Sequence, residues 1–272
     1  MRPHNPVRRS RKIGTADQGW RKQNSLVIPE RWGEKFWETI GRHELQKRNI
    51  GSKSVTFIVS ETRSGWVHPC SIDDISKMLG LLPESDWAGL GIIVFRQPSK
   101  KQSILSPVWG RMVYQADFQT SQGQKLVSGP SIILEAINPD RVIKWSTSLD
   151  PEKAGELERL RADGHSIHRN GRMYEIGVST SAARNTQLYR TIPHEVGHWF
   201  DWLSKVEEPT ARGGDFIELS DAYFARLQAE REAFAHRYAD EHALRLSEMG
   251  AIPFPPTSKP PSPSSPNSRS AR

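Results

Sequence analysis

The sequence predicts an α+β fold in which a small mixed sheet supports a helix with a metal-binding motif, and a helical C-terminal lobe folds back to face it. Three observations carry this expectation. Short apolar runs punctuated by Pro and Gly between residues 55 and 137 read as strands, the pentapeptide His-Glu-Val-Gly-His at 194–198 lies in a helical apolar pattern, and residues 220–249 keep helical periodicity.

Taken in order, residues 1–24 are polar, basic and turn-rich, and are expected to be disordered. A first helix is predicted from about Pro29 to Lys47, with Trp32, Phe36, Trp37, Ile40 and Leu45 on its buried side. Val55–Ser60 then reads as a strand, and an amphipathic helix follows over Ile72–Leu81 with Ser71 as its cap. Further strands are predicted at Leu90–Arg96, Trp109–Gln115 and Ser131–Ile137. His68 and Cys70, at a strand end, read as buried packing because no second ligand pair lies near them. Asp150–Ala162 is a charged surface helix with Pro151 at its first position. Asn170-Gly171 between two strand-like runs is a strong hairpin signal, with His165 and His168 expected to be exposed on its first arm. The helix bearing the motif is expected to begin before Pro193 and bend there.

His194 and His198 stand four apart, so on a helix both imidazoles can reach a single ion. Glu195 is offset from that line and can take a proton from a metal-bound water. Ile192, Val196, Trp199, Phe200 and Leu203 repeat at helical spacing and give this helix one apolar stripe. A catalytic zinc takes three protein ligands and leaves a position open, so a third must come from elsewhere. The helix predicted over 220–249, capped by Ser220 or Asp221 and ended by Gly250, supplies Glu232. Phe224, Leu227, Phe234 and Tyr238 are expected to pack inward from it.

His194-Glu195-Val196-Gly197-His198, followed by Glu232-Ala233-Phe234-Ala235, resembles the gluzincin zinc metallopeptidases, and the Glu-x-Phe-Ala context is similar to their lethal-factor-like and minigluzincin branches. The resemblance covers about residues 186–250. It implies a zincin-like fold, one Zn2+ per chain held by His194, His198 and Glu232, Glu195 as general base, and a protein or peptide substrate bound as an added strand along the 165–177 hairpin or the strand paired with it. It also implies a transition-state donor from the second lobe, for which Tyr223, His236 and Tyr238 are candidates and Tyr223 is preferred. One position departs from the pattern. Where many gluzincins carry a carboxylate four residues after the ligand glutamate, this chain has His236, which leaves Asp201 as a candidate to orient a ligand imidazole.

These elements define one domain over 25–250, with an α/β lobe to about residue 203 and a helical lobe from 204 to 250, followed by a Pro/Ser-rich tail over 251–272 that is expected to be disordered. One cysteine excludes an internal disulfide. No apolar run reaches membrane-spanning length and no signal-peptide core is visible, so a cytoplasmic location without membrane partners is expected. The net charge of +7 sits in the ends: residues 1–22 carry +6 and 251–272 carry +3, leaving −2 for the rest. Nucleic acid is therefore not expected as a partner beyond weak association with the tails. Two other readings stay open: a deformylase-like amide hydrolase with Cys70 as a ligand, and a catalytically inactive zinc-binding or interaction protein with basic tails.

Overall fold

The computed structural model describes residues 35–105 and 108–261. The chain divides into two compact units. Among the described residues the smaller comprises 35–36 and 98–105, with a short helix at Lys100–Leu105, and the larger comprises 37–97 and 108–261.

Its fold is mixed α+β, built on a six-stranded sheet. The strands are β1 (Thr39–Ile40), β2 (His43–Ile50), β3 (Lys53–Ser60), β4 (Ile92–Arg96), β5 (Gly110–Thr120) and β6 (Lys125–Glu135), in the order β1-β5-β6-β4-β3-β2. β3, β4 and β6 run parallel, and β2 and β5 are antiparallel to their neighbours β3 and β6. The continuous apolar runs follow from burial on both faces. Alternate residues of the central strands divide between two cores: Phe57, Ile93, Phe95, Ile132 and Leu134 face the helices, while Ile58, Ile92, Val94 and Ile133 join Ile40, Ala116 and Phe118 on the opposite face.

α1 (Ile72–Leu81) makes the crossover that the parallel pair β3–β4 requires. Its start is capped reciprocally: Ser71 accepts from Asp74 N–H, and Asp74 accepts from Ser71 N–H. A second sheet holds β7 (Val142–Ser146), β8 (Ser166–Asn170) and β9 (Met173–Gly177) in the order β7-β9-β8, with the predicted Asn170-Gly171 hairpin joining the last two. It packs beside α3 (Pro151–Ala162), numbering the Lys100–Leu105 helix α2.

A helical run then continues from Thr180 to Ala211: α4 (Thr180–Asn185), a π-helical turn (Thr186–Thr191), α5 (Ile192–Trp202), a second π turn (Leu203–Glu207) and α6 (Glu208–Ala211). Pro193 lies inside it, immediately after the first π turn, where Ile192 N–H reaches back five residues to Gln187. The wider π winding relieves the clash that proline makes with the preceding α turn. α7 (Phe216–Ala225) and α8 (Gln228–Glu248) are the last of the described helices, and Gly250 ends α8 at φ 64° as predicted.

Four sequence expectations are corrected. Part of the helix predicted over 29–47 lies outside the described residues, and 39–40 and 43–50 are strands; the polar stretch His-Glu-Leu-Gln-Lys-Arg-Asn is an edge strand, turned back onto β3 by Gly51 at φ 57°. The helix predicted over 220–249 is two helices, with extended backbone at Arg226 and Leu227. His165 is buried and hydrogen-bonds with Thr186 Oγ1 at 3.0 Å, whereas His168 is exposed. The tail does pack: Ile252 and Phe254 are buried, because Arg184 and Tyr189 bond the carbonyl of Phe254 and Thr257 bonds Asp74. The segment 1–24 and residues 262–272 lie outside the described residues. No described helix is long and apolar enough to cross a membrane.

Candidate metal centre

α5 and α8 carry the predicted ligands, and a glycine lets them meet. A Cβ at Gly197 would stand 3.0 Å from Tyr238 Cβ, 3.1 Å from Ala235 Cα and 3.2 Å from Ala235 O, so the two helices pack backbone to backbone at that point. Glu232 lies one turn before Ala235 on α8 and is thereby held over His194 and His198. The break at Arg226 supplies the reversal. Its guanidinium donates to buried Asp201 on α5 at 2.7 Å, and Lys205 pairs with the other oxygen of the same carboxylate. Burial alone would raise the Asp201 pKa; Lys205 and Arg226 hold it below the ordinary value. Asp201 therefore fastens the turn between α7 and α8 and does not orient an imidazole.

His194 Nε2 and His198 Nε2 are 3.1 Å apart, and Glu232 Oε2 lies 3.4 Å from each. Ligand atoms around a tetrahedral ion at about 2.0–2.1 Å stand about 3.3 Å apart, so this triangle has the dimensions of one face of such a site. The Glu232 side chain is 37% exposed and turned to the imidazoles, not to bulk solvent. Hydrogen bonds from the two imidazoles hold its carboxyl far below the ordinary range, against the opposing effect of burial. Burial pulls the His198 pKa down, but the carboxylates of Glu232, Glu195 and Asp201 outweigh it and leave it raised. His236, one turn further along α8, comes close as well. The ligand atoms of His194, Glu232 and His236 all lie within 4.8 Å of one another, and this group could hold a metal ion. His194 Nδ1 is buried with no hydrogen-bond partner among the described residues.

Glu195 is buried beside the pair, and its Oε2 accepts the N–H of Met112 on β5 at 2.7 Å. That bond also identifies the strand edge at the site. Trp109 O accepts from Glu135 N on the β6 side, whereas Met112 N–H points the other way; alternation then turns Gly110 and Met112 toward the open side. Among the described residues β1 pairs with β5 only at Gln119 and Thr120, so this part of β5 is an edge. The hairpin pairs with β7 and not with β5. The π turn packed against this part of β5 leads into α5, which carries the histidines, so β5 supplies a strand edge beside the site. Gly110 permits that approach, since a Cβ there would lie 2.7 Å from Thr191 Cγ2.

A cleft of about 380 Å³ opens over these groups, with His194, Glu195, His198 and Glu232 on its floor and Met112 and Phe224 among its walls. Tyr223 is 2% exposed and does not line it; its hydroxyl meets that of Tyr114 at 3.0 Å. Tyr114 does line the cleft. Burial pushes the Tyr114 phenol up to about 12 and that of Tyr223 higher, so both stay protonated at neutral pH. Tyr114 and Arg231, which also lines the cleft, went unnoticed in the sequence; the only signal for Tyr114 was its place two residues from Met112 on a predicted strand. Cys70 is fully buried against Arg184 O, with its thiol pKa raised by burial, and does not line the cleft. A larger hollow of about 1070 Å³ opens elsewhere beside β2 and is lined by none of the predicted site residues. No protein family, curated protein or solved structure matches the chain, and the reading of this site rests on its own geometry.

Proposed function

We propose that the chain is a zinc-dependent, gluzincin-type peptidase with a zincin-like fold, acting on a protein or peptide substrate. The observation that carries this is the triangle of His194 Nε2, His198 Nε2 and Glu232 Oε2, with sides of 3.1, 3.4 and 3.4 Å, beside a carboxylate that is not part of it. Two imidazoles and one carboxylate at these separations are a donor set suited to catalytic zinc, and His194, His198 and Glu232 would hold it. When bound there, zinc supplies an acidified water and a Lewis acid for the substrate carbonyl.

The chain's own residues do the rest. Glu195 takes the proton of the attacking water and returns it to the leaving amine; the Met112 N–H fixes one of its oxygens so that the other faces the cleft. An extended peptide pairs with the open side of β5 near Gly110 and Met112, which sets its scissile carbonyl above the histidines in fixed register. Tyr114 lines the cleft and its hydroxyl is held by that of Tyr223; we assign the oxyanion donor to Tyr114, with Tyr223 positioning it. The cysteine-ligand amide hydrolase draws no support from the buried position of Cys70.

Zinc analysis combined with detection of new protein N-termini tests the proposal. The wild type should carry about one zinc and generate termini absent with Glu195→Gln, which keeps the metal. Equal sets of termini from both proteins would remove the peptidase reading.

A further inference from the structure

Four large apolar side chains lie exposed within one short stretch: Phe216 and Ile217 at the start of α7, Phe224 near its end, and Leu227 just beyond it. Ile217 and Leu227 are each 69% exposed. Single exposed apolar residues are ordinary, but a contiguous set is not. Phe216, Phe224 and Ile217 fall on one side of α7 at helical spacing, with Ser220 between them and Asp221 at the margin. Phe216 and Phe224 both rest on Trp202, with ring centroids 6.2 and 5.5 Å away, and Phe224 lies 5.8 Å from the Tyr114 ring.

The ridge is held rigid from below. Arg231 Nη1 donates to the carbonyls of Tyr223, Phe224 and Arg226 at the end of α7, and Arg226 is tied to Asp201. A preordered apolar surface loses little entropy when it is covered. It is also continuous with the cleft, because Phe224 belongs to both and Gln228, the residue after Leu227, lines the cleft as well.

We infer that this ridge is a docking surface for the polypeptide substrate, taking bulky apolar side chains that flank the bond to be cleaved. The inference rests on the peptidase reading and adds a substrate class to it: chains whose cleavage sites carry Phe, Leu, Ile or Met within a few residues on one side.

The test uses the zinc-loaded full chain on an amine-blocked peptide library prepared from a whole proteome, comparing the wild type with the double variant Ile217→Ser/Leu227→Ser. Both positions are exposed, so the variant should fold and keep its zinc. Wild-type cleavage sites should show apolar enrichment on one side, and the double variant should lose about three- to tenfold in its preference for those peptides over peptides lacking such residues. A preference unchanged in the variant overturns the ridge while leaving the peptidase standing, as does a wild-type profile without apolar enrichment. Absence of any cleavage by the wild type overturns the peptidase reading and the ridge with it. A concentration-dependent dimer seen by light scattering and abolished in the variant would make the ridge a contact between copies and overturn the inference.

Discussion

Replacing Gly197 with alanine should weaken metal binding without unfolding the chain. The new Cβ would sit 3.0–3.2 Å from Tyr238 Cβ, Ala235 Cα and Ala235 O, and two of those three atoms are main chain of α8, which no rotamer change can move. Comfortable carbon contacts begin at about 3.5 Å, so α8 must retreat by about 0.3–0.5 Å. Metal–ligand distances tolerate about 0.2 Å, and Glu232 rides on the same helix one turn away. Zinc affinity should fall about tenfold or more, in the range seen when support for a ligand is removed. Alanine is better than glycine in a helix by about 1 kcal/mol, which offsets the packing loss, so the melting temperature of the metal-free chain should change little. A chelator-competition titration for zinc, run beside a thermal melt of the apo protein, separates the two effects. Zinc affinity within about twofold of the wild type would refute the claim that the close approach at Gly197 positions Glu232.

Three further predictions concern catalysis and stability. Glu195→Gln should retain zinc and lower kcat/KM by about 10²–10⁴-fold, as loss of a general base does; a loss confined to KM would assign Glu195 to binding instead. Burial alone would raise the Asp74 pKa, but Arg184, Ser71 and Thr257 hold it at about 2, below its ordinary 3.8. A depressed carboxyl stabilises the fold above its unfolded pKa, so about 2 kcal/mol should be lost as pH falls from about 4 to about 2, and pH-dependent melts of Asp74→Asn should lack that component. Phe254→Ala should cost about 3 kcal/mol in denaturant unfolding, because its ring packs edge-on to Tyr189 at 5.5 Å in a buried site; a cost near zero would mean that residues 251–257 do not hold to the core.

Local signals were legible in the sequence. The Ser71 cap with α1, the Asp150–Pro151 start of α3 and the Asn170-Gly171 hairpin all depend on residues within a few positions of one another, and each occurs where the sequence predicts it. The spacing of His194 and His198 was legible for the same reason. What escaped was set by partners distant in sequence. β2 has the polar, alanine-free composition of a surface segment, and its identity as a strand comes from pairing with β3. The α7–α8 break has no proline or glycine to announce it; Asp201 draws Arg226 out of the helix from 25 residues away. The Glu195–Met112 bond spans 83 residues, so neither the edge at β5 nor the place of Tyr114 on it was readable. The tail over 251–257 packs because a buried Arg184–Asp74 pair needs its main chain, although its composition alone suggests solvent.

The most direct test of the metal centre is a crystal of the zinc-loaded protein measured on both sides of the zinc absorption edge. One anomalous peak is expected about 2.0–2.1 Å from His194 Nε2, His198 Nε2 and a Glu232 oxygen, with Glu195 not among the ligands. A peak bound by His194, Glu232 and His236 without His198, or no peak in this cleft, would contradict it.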